Sequence, residues 1–244
     1  MAANGPLADR SYCLRGEQQL SFREYKFSGA SVNVSDRRTE LNLARHAIDR
    51  RRALDAGAKY FSHNGFDGSP IAAIAREAGL SLKALYAVFP SKEDLFEAVI
   101  ADRYDKHVLP LLTVDRTSLP AAERVFALVD DILAAMVADR AFMQLYSRGS
   151  AGVPAKLRTA GRDPYTPYVD AVRTHLAGVI ANCPADVGTR NAHDLAVALA
   201  ASLVALATDA FVPDPPRPAR HVGATLRRLF GPALGLDTHH LPTD

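Results

Sequence analysis

Between Asn64 and Pro110 the chain carries helix stops and starts so closely spaced that only short helices fit between them. Asn64-Gly65 offers a C-cap, because glycine takes the left-handed conformation cheaply. Ser69 suits an N-cap, and Pro70 then falls at the first helical position, where its missing N–H is no loss. Ile71, Ile74, Ala75 and Ala78 make a short apolar face that Gly79 ends. Ser81 caps a second short helix, 82–88, with Leu85 and Phe89 turned inward and Pro90 closing it. Ser91-Lys92-Glu93-Asp94 reads as a capping box with acids in the first turn. Leu95, Phe96, Val99, Ile100 and Val108 carry that helix to Pro110. Two short helices joined by a tight, glycine-containing turn describe a helix-turn-helix. An arbitrary helical hairpin is the competing reading, and caps this close together weigh against it.

Charge is uneven along the chain. Residues 37–92 hold ten basic and five acidic side chains, although the whole chain carries only +2. Residues 1–36 are neutral and the remainder is mildly acidic. A basic segment ahead of a near-neutral body suggests a polyanion-binding unit, against the simpler reading of a solvated helix face. Upstream, Leu41, Ala44, Ile48, Leu54, Ala58 and Phe61 recur at helical spacing. The pattern leaves open whether 39–62 is one helix or two. Leu20, Phe22, Tyr25 and Phe27 hint at a short strand, but residues 1–36 are expected to form a disordered or loosely docked extension.

Gly65-Phe66, Ser69, Ile71, Ile74-Ala75, Ala78-Gly79-Leu80-Ser81, Leu85-Tyr86, Phe89, Lys92-Glu93 and Leu95 together resemble the N-terminal DNA-binding domain of TetR-type transcriptional regulators. Ala53-Leu54-Asp55-Ala56 and Phe61 fit the first helix of that family. In a helix-turn-helix the second helix lies in the major groove with its N-terminal residues at base edges. Here those are Ser81, Leu82, Lys83 and Ala84. Lys83 can donate to guanine and Leu82 can touch a thymine methyl. The resemblance implies base contacts at Leu82 and Lys83 and phosphate contacts at Ser69, Tyr86 and Lys92. Lys83 stands where the family often has glycine, and Val88 where a histidine often meets phosphate. Arg50, Arg51 and Arg52 precede the matched helix and can lie along the backbone or enter the minor groove.

Beyond Pro110 the pattern is helical throughout, at 120–138, 141–149, 165–182, 189–212 and 219–230, with a short helical piece inside 150–163 and a frayed tail after Gly231. The stretch 189–212 is apolar on more than one side, as a helix buried on two sides is. It is barely long enough for a membrane span and carries Ser202, Thr208 and Asp209, so no membrane is expected. The resemblance implies that 189–212 and 219–230 form a four-helix dimer interface through Leu195, Leu199, Leu203, Leu206, Leu226 and Leu229. A mostly apolar chamber with few polar groups suits a small-molecule site. Phe126, Met136, Phe142, Tyr146, Tyr165 and Tyr168 are candidate walls, with Gln144, Arg148, Arg173, His175 and Asp209 as polar anchors. For each of these residues plain packing is the competing reading.

Two cysteines, Cys13 and Cys183, exclude a disulfide-stapled fold and four-cysteine zinc sites. No apolar signal-peptide core begins the chain, so a cytoplasmic protein is expected. HExxH, CxxC pairs, GxSxG, Walker A and GxGxxG motifs are absent from the sequence, so no catalytic residues, metal or cofactor are expected. The expected organisation is all-α: extension 1–36, helix-turn-helix domain with connecting helix 37–109, helical ligand-binding and dimerisation domain 110–231, and tail 232–244. The expected function is a homodimeric repressor that leaves a (pseudo)palindromic double-stranded operator when an apolar small molecule binds. The alternative is an all-α enzyme or interaction module whose residues 50–108 bind a protein.

Overall fold

The computed structural model describes residues 34–148, 152–183, 189–211, 213 and 216–236. The suggested strand at 20–27 lies outside them. Residues from Leu41 onward form one compact unit. Helices account for all the regular structure among the described residues. Helix α1 runs unbroken over Val34–Asn64, which settles the question left open for 39–62. Leu54, Ala58 and Phe61 enter the core as expected. Leu41 and Ile48 do not: they are 64% and 54% exposed. The spacing is helical in both halves of α1, but only the second half has helices packed against it.

Helices α2 (Ile71–Glu77), α3 (Leu82–Val88) and α4 (Lys92–His107) follow the caps. Gly65 and Gly79 take φ of 71° and 68°, ending α1 and α2 in the left-handed conformation that a Cβ disfavours. The Ser81 hydroxyl accepts from Ala84 N–H at 3.1 Å, and Ser91 accepts from Asp94 N–H at 3.0 Å. Ser69 departs from expectation. Pro70, not Ser69, holds the N-cap position of α2. The Ser69 hydroxyl instead donates to the Gly65 carbonyl at 2.6 Å, closing the loop after α1. Pro110 does not end the helical run either. Proline fits the first turn of a new helix, and α5 (Leu109–Leu112) begins around it.

The larger body comprises α6 (Ala121–Ala138), α7 (Arg140–Arg148), α8 (Ala155–Thr159), α9 (Thr166–Ile180), α10 (Thr189–Phe211) and α11 (Ala219–Phe230). Helix α10 packs most extensively on α9, then on α11 and α7. Its stretch Asn191–Phe211 has the length and apolar character of a membrane span, yet here it is flanked by four helices, α6, α7, α9 and α11. The tail expected from 232 is ordered at its start: Pro232–Leu234 form a 3-10 turn that buries Leu234.

Candidate nucleic-acid interface and effector chamber

Helix α3 has only seven residues, so its two sides are divided by a few anchors. Leu85 and Phe89 are buried, and Ile74 and Ala75 of α2 lie in the same core. The opposite side is thereby turned outward. Leu82 is 43% and Tyr86 41% exposed, and Ser81 and Lys83 are exposed beside them. Ala84 is half-buried. Tyr86, exposed to this extent, is not part of the core.

Basic side chains surround this helix in two different conditions. The Arg50 guanidinium lies 4.9 Å over the Phe89 ring, and the Lys92 amine lies 4.3 Å over the Phe66 ring. Rings so placed attract the cations and restrict where they point. Burial lowers the Lys92 pKa, against the influence of Asp67 and Glu93. Arg52 is exposed and borders a hollow of about 520 Å³ with Ser81 and Ala84. Arg45 lines the same hollow, although nothing in its sequence context singles it out. Exposed Leu41 and Ile48 form its apolar side.

Two expected phosphate ligands are engaged elsewhere. Arg51 pairs with Asp55 and, at 2.7 Å, with Asp102 of α4, so it braces α1 against α4. Ser69 is fully buried with its hydroxyl committed to Gly65. Ser69 presents no free donor at the surface, and the exposed Arg51 has all three guanidinium nitrogens engaged by Asp55 and Asp102. By contrast, Arg45, Arg52 and Lys83 hold no ion pair among the described residues, while Lys59 is tied to Glu77 at 2.6 Å.

Behind the interface lies a polar joint. Arg103 of α4, only 8% exposed, donates to Asp139 at 2.8 Å and to Asp55 at 3.1 Å. Asp139 also caps α7 by accepting from Phe142 N–H at 3.0 Å and meets His107 at 2.9 Å. Burial pushes the Asp139 carboxyl up, but the Phe142 N–H, Arg103 and His107 together hold it below its ordinary value. Burial lowers the His107 pKa in spite of Asp139. Asp102 Oδ2 and Arg103 Nε have no hydrogen bond, but they face each other at 3.8 Å, which offsets part of their desolvation. A second joint is shorter: Arg148, at the end of α7, donates to the carbonyls of Ser62 and His63 at 3.1 and 3.3 Å. These are the orphan carbonyls that any helix leaves at its C-terminus.

The residues proposed to wall an effector chamber divide sharply. Phe126, Met136, Phe142 and Tyr165 are solid core. The Phe126 ring lies under Arg227 of α11 at 4.6 Å. Tyr104, which the sequence did not single out, is stacked on Tyr168 at 4.6 Å and meets Phe142 edge-on at 5.7 Å. The Tyr165 hydroxyl donates to the Leu145 carbonyl at 3.1 Å. Asp209 is exposed and paired with Arg217, and Arg148 is engaged on α1, so neither anchors a chamber. His175 is half-buried, its pKa lowered by burial and by Arg116. Gln144 Oε1 is buried without a partner among the described residues.

An open hollow of about 570 Å³ does exist, between α7, α9 and α10. Of the expected residues only Tyr146 and Arg173 line it. The rest of the wall is Val169, Val172, Val204 and three alanines of α10, with Ser147, Thr166, Thr208 and the Asp170 carboxylate. Burial pushes the Tyr146 hydroxyl up to about 12, and the nearby Arg173 charge opposes that rise. Alanines and valines at helical spacing look like packing in a sequence. Only the tertiary arrangement shows that they leave space.

The leucines expected at a dimer face divide as well. Leu199, Leu203 and Leu226 are buried within this protomer. Leu195 and Leu206 are half-buried, and Leu229 is 63% exposed. An apolar helix can satisfy its own core with its most regular leucines and leave a partner the less regular side.

Comparisons with known proteins agree with this geometry. A sequence model described as "Bacterial regulatory proteins, tetR family" matches residues 53–99, which span the second half of α1 through the middle of α4. The HTH-type transcriptional repressor ComR of Escherichia coli (strain K12) is 34% identical over 87 residues. That match covers 34% of this chain and 41% of ComR, so it spans about two fifths of the relative's length. A TetR-like transcriptional regulator from Rhodococcus sp. RHA1 superposes with a TM-score of 0.62 at 22% identity, over 77% of this chain and 97% of that one. FadR from Bacillus subtilis, solved in complex with stearoyl-CoA, superposes with a TM-score of 0.60 at 14% identity, over 73% of this chain and 96% of that one. At these identities the superpositions establish a shared helical fold, while the matched motif resides in α1 to α4. Residues 53–99 are thus similar in sequence to the DNA-binding part of the tetR family of bacterial regulatory proteins, and the larger body shares the helical fold of such regulators.

Proposed function

We propose that this chain is a homodimeric transcriptional repressor that reads a (pseudo)palindromic operator with α3 and releases it when a small molecule occupies the larger body. The observation that carries the reading is the division of α3. Leu85 and Phe89 fasten it inside while Leu82, Lys83 and Tyr86 project from the other side. Residues 37–109 take the DNA-reading role and 110–231 the sensing and dimerisation role. Leu82 and Lys83 face base edges. Tyr86, Lys92, Arg50, Arg52 and Arg45 face phosphates. Arg51 and Ser69 support the interface from behind.

Leu195, Ala198, Ser202 and Leu206 of α10, with Leu229 of α11, form the dimer face, since these positions remain at least partly exposed. A two-fold dimer meets successive major grooves only when its reading helices stand about 34–36 Å apart. Helix α7 connects that requirement to the hollow. Tyr146 is part of the wall, and two residues later Arg148 grips the end of α1. An effector shifts the equilibrium only by its difference in affinity for the two states.

Selection of bound duplexes from a random pool tests the proposal, followed by titration at several salt concentrations. The expected result is an enriched inverted repeat whose binding weakens steeply with salt. Absence of salt-sensitive duplex binding would favour a protein-interaction role for 50–108.

A further inference from the structure

The hollow between α7, α9 and α10 has a chemical polarity that an apolar effector alone does not explain. Its wall is apolar where Val172, Val204 and the α10 alanines meet, and its two charged groups are the Arg173 guanidinium and the Asp170 carboxylate. Guanidinium offers five N–H donors in a fixed fork. Arg173 Nε is buried and finds no acceptor among the described residues. Its single carboxylate neighbour, Asp170, lies at 3.5 Å, a long contact, and is itself largely exposed to solvent. Buried donors without partners are rare in folded proteins, and each requires a reason. Tyr146 adds a hydroxyl close enough to be influenced by Arg173, with no hydrogen bond to another described residue. A fork of donors and a phenol beside an apolar trough match a planar carboxylate carrying an apolar tail. Bidentate pairing with carboxylate is the contact for which guanidinium geometry is suited.

We infer that the effector is a carboxylic acid with an apolar tail, its carboxylate held by Arg173 and Tyr146 and its tail laid along Val172, Val204 and the alanines of α10. The inference rests on the repressor reading for its consequence but not for its chemistry. Asp170 competes with the ligand for Arg173, so it tunes affinity downward. Its charge also offers an amine the opposite orientation.

Calorimetric titration of the full chain with decanoate, decanol and decylamine tests this. Decanoate is expected to bind at least tenfold more tightly than decanol, with decylamine weakest. Arg173→Gln should reduce decanoate to the affinity of decanol, and Asp170→Asn should tighten decanoate several-fold. Tyr146→Phe, which keeps the ring, should weaken decanoate several-fold and keeps the site testable if Arg173→Gln folds poorly. Equal affinity for decanoate and decanol, a preference for decylamine, or an Arg173→Gln variant that retains the preference for the acid would each overturn the inference. The selected duplex is titrated in parallel. A chain that binds the duplex but ignores decanoate refutes the acid site alone. A chain that binds decanoate through Arg173 but no duplex refutes the repressor reading alone.

Discussion

Helices α3 and α10 resolve the same problem differently. Helix α3 is seven residues long and fastened by Leu85 and Phe89, so whatever those anchors do not occupy must face out. Helix α10 is 23 residues long and is contacted by α6, α7, α9 and α11, so its sides are assigned by whichever helices happen to pack there. In α3 the exposed functional side follows from two local residues. In α10 a leucine such as Leu203 is core and another, Leu206, remains half-exposed three residues later. Short capped helices therefore hold their function by local rules, and long bundle helices by their neighbours. Substitutions should separate the two: those on the outer side of α3 should alter binding and spare stability, and those at buried positions of the bundle should first of all lower stability.

The largest separation is expected at Leu203 and Leu229. Leu203→Glu buries an unpaired charge and should abolish the folded state, read as loss of a cooperative thermal transition. Leu229→Glu should keep that transition and shift sedimentation from dimer to monomer. A folded dimer from both variants would break the assignment of sides in α10 and α11.

Next comes the joint behind the interface. Arg103→Met leaves Asp139 without its guanidinium partner and should lower stability by about 3–5 kcal/mol, the usual cost of removing one member of a buried ion pair. Chemical denaturation measures this. A loss near zero would mean that solvent already screens the joint.

Lys83→Ala should leave denaturation unchanged and relax preference at one operator base by roughly 1–3 kcal/mol. Lys92→Ala should weaken all duplexes alike and reduce the slope of log K against log salt by about one. If Lys83→Ala behaves as Lys92→Ala does, α3 is not seated in the groove as described.

The smallest effect is acid sensitivity. His107 titrates below its ordinary 6.5 in the folded chain, so the unfolded chain binds the proton first. Stability is then complete above pH 6.5 and declines as pH falls below it. Asp139, held below 3.8, extends the same loss to lower pH. The thermal midpoint should be level from pH 7 to 8 and fall gradually below 6.5; His107→Gln should make the upper part of that fall shallower, and His175, whose pKa is also lowered, supplies the rest.

This contrast also explains what could be read from the residues alone. Gly65, Gly79, Ser81 and Ser91 act on backbone within a few positions, so the short helices were legible to within a residue or two. Ser69 misled because a serine before proline also suits a loop-closing hydroxyl, and only the position of Gly65 decides between them. Arg51 looked like its neighbours Arg50 and Arg52. Its diversion to Asp102 needs a helix fifty residues away. The aromatic residues proposed for the chamber were chosen for size, yet size is what let Phe142 and Tyr165 fill the space around Tyr104. Where side chains are as small as Ala200 and Ala201, the absence of bulk leaves the hollow, and a sequence shows no direct sign of it.

Arg148 carries one more consequence. Its partners at Ser62 and His63 are peptide carbonyls, which gain or lose no proton, and a guanidinium keeps its charge at any pH a cell reaches. No change of acidity can therefore release this link, unlike the His107–Asp139 contact a few residues away. The link opens only by displacement, through a slide or rotation of α7 that carries the guanidinium beyond hydrogen-bond reach. It works as a mechanical catch, indifferent to the chemical state of the medium and responsive only to motion of the helix that bears it.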